Sequence, residues 1–221
     1  MLNKAHRELF VAGASELGVA LDDHAVERFS AYLGLLQLWG KKINLTTRME
    51  TSEVILYHFL DSLAGVPILA ASPAARVVDL GAGAGLPSLP LKFALPGLLV
   101  LLVESARKKV AFCQEAIRAT GITGIEALWG RGEILGARPE HRRSYDWAVS
   151  RALGSSVEVA KLAFPFLAPG GRILLYKGDP DSGELQALDS FCTGNGGGWE
   201  QRKVSIPHLE AARSLIIVTF P

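Results

Sequence analysis

The sequence predicts an α/β protein with a mostly parallel, doubly wound sheet and an N-terminal helical segment. Three observations predict it. Apolar residues up to residue 72 recur at steps of three to four. From Arg76 onward, short continuous apolar runs alternate with helical stretches. The last two strand-like runs are separated by only a short connection, which suits an antiparallel pair closing the sheet.

The helical segment comes first. Leu9, Ala12 and Leu17, then Val26, Phe29, Leu33 and Leu36, each line one helical face. Gly18 and the pair Asp22-Asp23 separate the two helices, and either aspartate can cap the second. Gly40 to Thr47 breaks the pattern and reads as a loop. Thr51 or Ser52 is expected to cap a third helix through Leu63 and beyond, and Ser72-Pro73 ends the region. The division expected is a helical subdomain over 1–72 and a Rossmann-like domain over 73–221.

Strands are expected at Arg76–Leu80, Leu98–Glu104, Ile125–Trp129, Asp146–Ser150 and Arg172–Lys177. Helices are expected after the first strand, from about Ala106 to Thr120 before Gly121, and over Val157–Leu167. Trp199–Ile206 and Ser214–Phe220 supply the closing pair. Thr193 to Gly198 reads as a mobile loop.

Composition excludes several classes. The 221 residues are 49% hydrophobic, enough for a substantial core, and the net charge of +1 announces no nucleic-acid binder. Residues 1–61 carry a net of −2 and the remainder +3, too small an asymmetry to assign a partner. Cys113 and Cys192 have no CxxC or His-pair context, so neither a disulfide framework nor a metal site is expected. They read as one core thiol and one surface or loop thiol. The charged N-terminus reads as neither signal peptide nor membrane span, and Leu98 to Val103 is too short to cross a bilayer. A cytoplasmic, monomeric protein without a membrane partner is the expectation.

Chemistry concentrates at Asp79-Leu80-Gly81-Ala82-Gly83-Ala84-Gly85, where the first strand ends. In a parallel sheet, ligands bind beyond the carboxyl ends of the strands. Glycines there allow positive φ and close approach of a ligand to the backbone. Glu104 ends the next strand, nineteen residues beyond Gly85, where a carboxylate can accept both ribose hydroxyls of an adenosine ligand. Dinucleotide enzymes use G-x-G-x-x-G beside a pyrophosphate. Here the spacing is G-x-G-x-G, with an acid two residues before it. That suits S-adenosylmethionine, which has a sulfonium and an ammonium but no phosphate. Asp79 is placed to hold its cationic methionine end, directly or through water. An NAD enzyme and an inert α/β domain are the alternatives. The closing antiparallel pair also resembles the seven-stranded, mostly parallel sheet of class I methyltransferases, whose last strand is antiparallel.

Further stretches resemble the bacterial small-subunit ribosomal RNA methyltransferase G family, also called glucose-inhibited division protein B. Leu33 through Thr46, with Trp39, Lys41, Asn44 and Leu45, is similar to its N-terminal signature. His58 to Leu63 is similar to its H-x-x-D-S-L segment. Gly81 to Leu91, Glu104 with Lys108-Lys109, Gly130 to Glu133, Ser150-Arg151-Ala152 and Lys177-Gly178 match its later motifs in order. The departures are Ser88 where the family usually has glycine, Gly132 for alanine, Gly40 for a common asparagine, and no basic residue at the end of the chain.

The resemblance implies methyl transfer from S-adenosylmethionine to N7 of a guanine in the 530 loop of 16S rRNA, free or in the small subunit. It implies that Gly81, Leu86, Gly132, Glu133 and Arg151 touch the cofactor, alongside Asp79, Gly83 and Glu104. Guanine N7 already carries a lone pair, so positioning suffices and no general base is expected. Arg151 is the candidate for positioning guanine, since it can pair bidentately with O6 and N7. The fourth strand lacks the Asn/Asp-Pro-Pro-Tyr/Phe of amino-group methyltransferases, and neither cysteine sits in a nucleophile motif. Asn44, Lys41, Lys108 and Lys177 are expected to face RNA, with the basic runs Lys41-Lys42, Arg107 to Lys109, and Arg138 with Arg142-Arg143 as phosphate contacts. His58 and Asp61, three apart on one helical face, could orient each other beside the pocket. Another RNA, a small-molecule acceptor, or a binding protein without turnover are the competing readings.

Overall fold

The computed structural model describes residues 2–210 and 213–221. Seven strands form one sheet in the order β3-β2-β1-β4-β5-β7-β6. They are β1 (Arg76–Leu80), β2 (Leu99–Glu104), β3 (Ile125–Trp129), β4 (Tyr145–Arg151), β5 (Leu167–Lys177), β6 (Gly198–Val204) and β7 (Arg213–Thr219). The first five pair in parallel, and β7 runs antiparallel between β5 and β6. The order reverses between β1 and β4, which opens a crevice at their carboxyl ends.

The ends of every strand but β5 fall within two residues of the expected apolar runs; β5 begins five residues early, at Leu167, and three further expectations fail. Pro165 and the following turn stop the helix Ser156–Ala163, and a short 3₁₀ turn, Phe164–Phe166, leads directly into β5 at Leu167. Residues 193 and 194 are not loop: they end a helix over Ser182–Gly194, capped by the Asp181 side chain on Glu184 N–H at 2.8 Å. Both cysteines are buried. Burial pushes both thiols up, Cys192 to about 11, so each is an inert core group.

The helices Ser88–Ala94 and Arg107–Thr120 pack on one face of the sheet, and the N-terminal helices Lys4–Glu16 and Asp23–Gly40 pack outside them and on Ile55–Leu60. Asp22 caps the second, accepting from Ala25 N–H at 2.7 Å. Phe29 lies at the centre, 4.7 Å from Phe10, 4.9 Å from Phe59 and 5.1 Å from Phe93 between ring centres. These contacts join the helices to Ser88–Ala94, which follows the glycine loop, in one hydrophobic cluster running from Phe10 to Ile217. The opposite face is covered by the helices Ser156–Ala163 and Ser182–Gly194 around Val159, Phe166 and Leu188.

A third helical run spans Thr51–Leu69. Thr51 is its first helical residue rather than its cap, and its hydroxyl accepts from Gln37 Nε2 at 3.2 Å. The run is long and apolar enough to cross a membrane, but here it is a core helix in which His58, Asp61 and Ser62 are buried. Its turns widen to π geometry over Ile55–Leu60, next to Asp61. Such insertions re-aim side chains and cluster at functional sites.

Candidate functional site

The loop after β1 is built by its glycines. Gly81, Gly83 and Gly85 all have positive φ, at +70°, +58° and +81°. At Gly81 the φ of +70° is one that L side chains rarely adopt, and a Cβ would also displace the Leu153 side chain, whose Cδ1 would lie 2.4 Å away. Tyr32 Oη donates to Ala84 O at 2.5 Å, tying the N-terminal helices to the loop. Glu104 ties it from the other side. Its Oε2 accepts from Gly83 N–H at 2.9 Å, and its Oε1 from Ala106 N–H at 2.8 Å. Oε2 keeps a second lone pair for a ligand, while Oε1 also takes a long 3.4 Å bond from the Ser105 hydroxyl, which a ligand hydroxyl could replace.

A cavity of about 290 Å³ opens beyond the carboxyl ends of β1, β2 and β3. Gly81, Ser105, Gly132, Glu133 and Leu153 are among its walls. Glu133 is exposed, and Gly132 begins a short helix, Gly132–Leu135, whose first N–H groups have no partner within that helix.

Asp79 does not line this cavity. It is fully buried, and neither carboxylate oxygen makes a hydrogen bond. Burial pushes its carboxyl up to about 7; the Ser88 hydroxyl and N–H, nearby but outside hydrogen-bonding geometry, and the Arg151 charge pull the other way. An unpartnered buried carboxylate is costly, and such orphans mark sites with an unmet partner.

Arg151, at the end of β4, faces a second cavity of about 370 Å³ between the sheet and the helical run. It donates to Asp61 Oδ2 at 3.0 Å and Tyr57 O at 3.2 Å, with His58 Nδ1 at 3.3 Å. Asp61 also accepts from Arg213 Nε at 2.7 Å. His58 Nε2 lies 2.6 Å from Thr46 Oγ1. Burial, then the Arg151 charge, lower the imidazole to about 4, so it is neutral near pH 7. Arg48 stacks over the Tyr57 ring at 3.7 Å on the cavity wall. Alternate residues of a strand share a face, yet Arg151 and Leu153 line different cavities. Ala152 separates them with φ of +58°, a left-handed turn that few non-glycine residues adopt.

A family profile for rRNA small subunit methyltransferase G matches residues 25–216. The protein of that name from Moorella thermoacetica is 38% identical over 211 residues, covering 95% of this chain and 88% of the relative. This chain belongs to the rRNA small subunit methyltransferase G family. Solved structures share the fold at lower identity. Precorrin-6y C5,15-methyltransferase from Geobacter metallireducens aligns with a TM-score of 0.55 at 15% identity, over 80% of this chain and 90% of that one. TYW2 from M. jannaschii in complex with AdoMet aligns at 0.56 and 15% identity, over 81% and 78%.

Within this methyltransferase G chain, Gly81, Gly132 and Glu133 converge on one cavity, and Glu104 braces its loop. Leu86 does not line it: its side chain is in the core, and its N–H donates to Ala82 O at 3.1 Å. Asn44, Lys41 and Lys108 are exposed. Lys177 is tied within the fold, pairing with Glu184 at 2.7 Å and donating to Gly154 O at 2.5 Å. Sequence reading missed Glu184, which also takes both Ser156 donors, and missed Tyr57 and Arg213 beside Arg151. Arg213 is 152 residues from Asp61, and no local pattern joins them.

Proposed function

We propose that this chain methylates N7 of a guanine in the 530 loop of 16S rRNA, in the cytoplasm, with S-adenosylmethionine as donor. The observation that carries the reading is the pairing of a glycine-walled cavity with a buried, unpartnered Asp79 beneath its loop. Family membership supplies the class of substrate, rRNA of the small subunit. The residues fit the donor. Asp79 offers the negative charge that an ammonium group needs, Glu104 has lone pairs for two ribose hydroxyls, and Gly132 N–H with the Glu133 carboxylate can read an adenine edge.

When bound, S-adenosylmethionine supplies an electrophilic methyl on a sulfonium. The chain supplies position. Of the five N–H groups on Arg151, two are engaged by Asp61 and Tyr57, and a third meets His58 Nδ1 when the imidazole proton sits on Nε2 rather than donating from Nδ1 to Tyr57 O. This fixes the guanidinium and leaves donors for guanine O6 or a phosphate. Its permanent charge cannot remove a proton, and N7 needs none removed. Neutral His58 adds no third cation to Arg151 and Arg213. Residues 1–72 serve as the helical subdomain that walls the acceptor cavity, and 73–221 as the transfer domain.

The test is methyl incorporation from labelled S-adenosylmethionine into naked 16S rRNA, small subunits or a metabolite mixture, followed by N7-specific strand cleavage. Label in rRNA with cleavage at one guanine of the 530 loop is expected. Label confined to metabolites overturns the reading.

A further inference from the structure

We infer that Trp129 and Arg107 form a stacking platform for an unpaired base of the RNA substrate, next to the cofactor cavity. A single exposed tryptophan says little by itself. This one is fixed in orientation. It ends β3, paired with Glu104 of β2. Its indole Nε1 donates to Ser105 O at 2.9 Å, and the Arg107 guanidinium lies 3.8 Å from the ring centre. The residue nevertheless stays 48% exposed. An anchored, half-exposed indole with a cation on its face is what unstacked bases use, since every base has a π-face and Arg adds attraction.

The surroundings carry the matching charge. Arg107, Lys108 and Arg131 are exposed, and among the described residues none of the three forms an ion pair. Ser105 and Arg131 also line the cofactor cavity, so a base stacked on the indole lies beside the rim of that cavity. Glu133 is exposed on the same rim, which keeps the patch from being a general polyanion trap. The platform therefore favours single-stranded loops with splayed bases over a duplex, whose bases are already stacked. This inference rests on the RNA-methyltransferase reading, and it names a surface rather than a reacting group.

The experiment uses a short guanine-free oligoribonucleotide, which cannot enter the reaction. Binding is followed by tryptophan emission and by anisotropy of an end label. The intact protein is expected to lose emission on binding. Trp129→Phe keeps a ring, so it is expected to bind within threefold but to lose the quenching. Trp129→Ala is expected to bind about tenfold or more weakly, and Arg107→Gln to show a shallower salt dependence. Affinity for S-adenosylmethionine by calorimetry stays unchanged in all three. Oligonucleotide affinity of Trp129→Ala within twofold of the intact protein overturns the inference. So does an equal loss of cofactor affinity, which makes the indole a brace for the Ser105 loop. Quenching by an intact protein that methylates no rRNA overturns the proposed reaction and leaves the platform standing. Normal methylation of 16S rRNA by Trp129→Ala, with unchanged KM for RNA, does the reverse.

Discussion

Arg151 and Asp61 lie 90 residues apart in sequence and meet at 3.0 Å, with side chains only 16% and 7% exposed. Asp61 also holds Arg213, so one carboxylate sits between two guanidinium groups. Removing it leaves two cations facing each other with little water. Asp61→Ala is expected to lower unfolding free energy by about 3–5 kcal/mol, read as a shift in urea midpoint. Asp61→Asn keeps the shape and loses the charge, so it should unfold earlier than the intact protein but later than Asp61→Ala. If Asp61→Ala unfolds at the native midpoint, the pair does not hold the sheet to the helical run.

His58 gives a pH signature. Its folded value, about 4, lies below the ordinary 6.5, because burial and Arg151 disfavour the imidazolium. The unfolded chain therefore binds the proton more readily, and stability is lost as pH falls from about 6.5 toward 4. Above 6.5 the contribution is fully present. His58→Gln should flatten the stability profile across that window and change little at pH 8. A direct check is the imidazole C2–H resonance. It should not titrate above pH 5, and a midpoint near 6.5 rejects the buried neutral state.

Glu104 has two tasks that two variants separate. It accepts Gly83 N–H and Ala106 N–H, and in the proposed complex it accepts ribose hydroxyls. Glu104→Ala should weaken S-adenosylmethionine binding by about 1–3 kcal/mol, measured by calorimetry. Glu104→Gln keeps one acceptor and should recover part of that loss. Equal affinity in all three proteins removes the ribose role.

What the sequence disclosed follows from the range of each interaction. Continuous apolar runs bounded by turn residues placed β1, β2 and β3 closely, because burial of a parallel strand is written along a few neighbouring residues. The glycine loop and Glu104 were legible because both belong to one β-α-β unit with fixed spacing. Lys177 shows the limit. Its motif suggested an RNA contact, while its partner Glu184 lies on a helix that the reading did not place. The Arg151 cluster draws on Thr46, Tyr57, His58, Asp61 and Arg213, which meet only when three separate elements pack. Polar pairs at such separations leave no period in the chain. Leu86 turns its side chain into the core, which was not legible for a related reason: a motif names a residue but not the face to which its side chain turns.

Asp79 carries the sharpest prediction. Its folded value of about 7 lies above the ordinary 3.8, since full burial penalises the carboxylate. The folded chain thus holds the proton more tightly than the unfolded chain. Stability is greatest below about pH 4 and falls as pH climbs from there toward 7, at up to about 1.4 kcal/mol per unit. The groups facing it come from several elements: Ser88, Arg151 and Glu104 around the carboxyl, with Tyr32 and Cys113 also within electrostatic reach. Asp79→Asn removes the penalty, so it should melt higher than the intact protein at pH 8 and at nearly the same temperature at pH 4. The same variant should bind S-adenosylmethionine more weakly, because the charge that meets the ammonium is gone. In the intact protein, binding at pH 6 should release a proton, seen as a calorimetric enthalpy that varies with the ionisation enthalpy of the buffer. A variant less stable at pH 8 and unchanged in cofactor affinity would show that Asp79 is neither strained by burial nor part of the cofactor site.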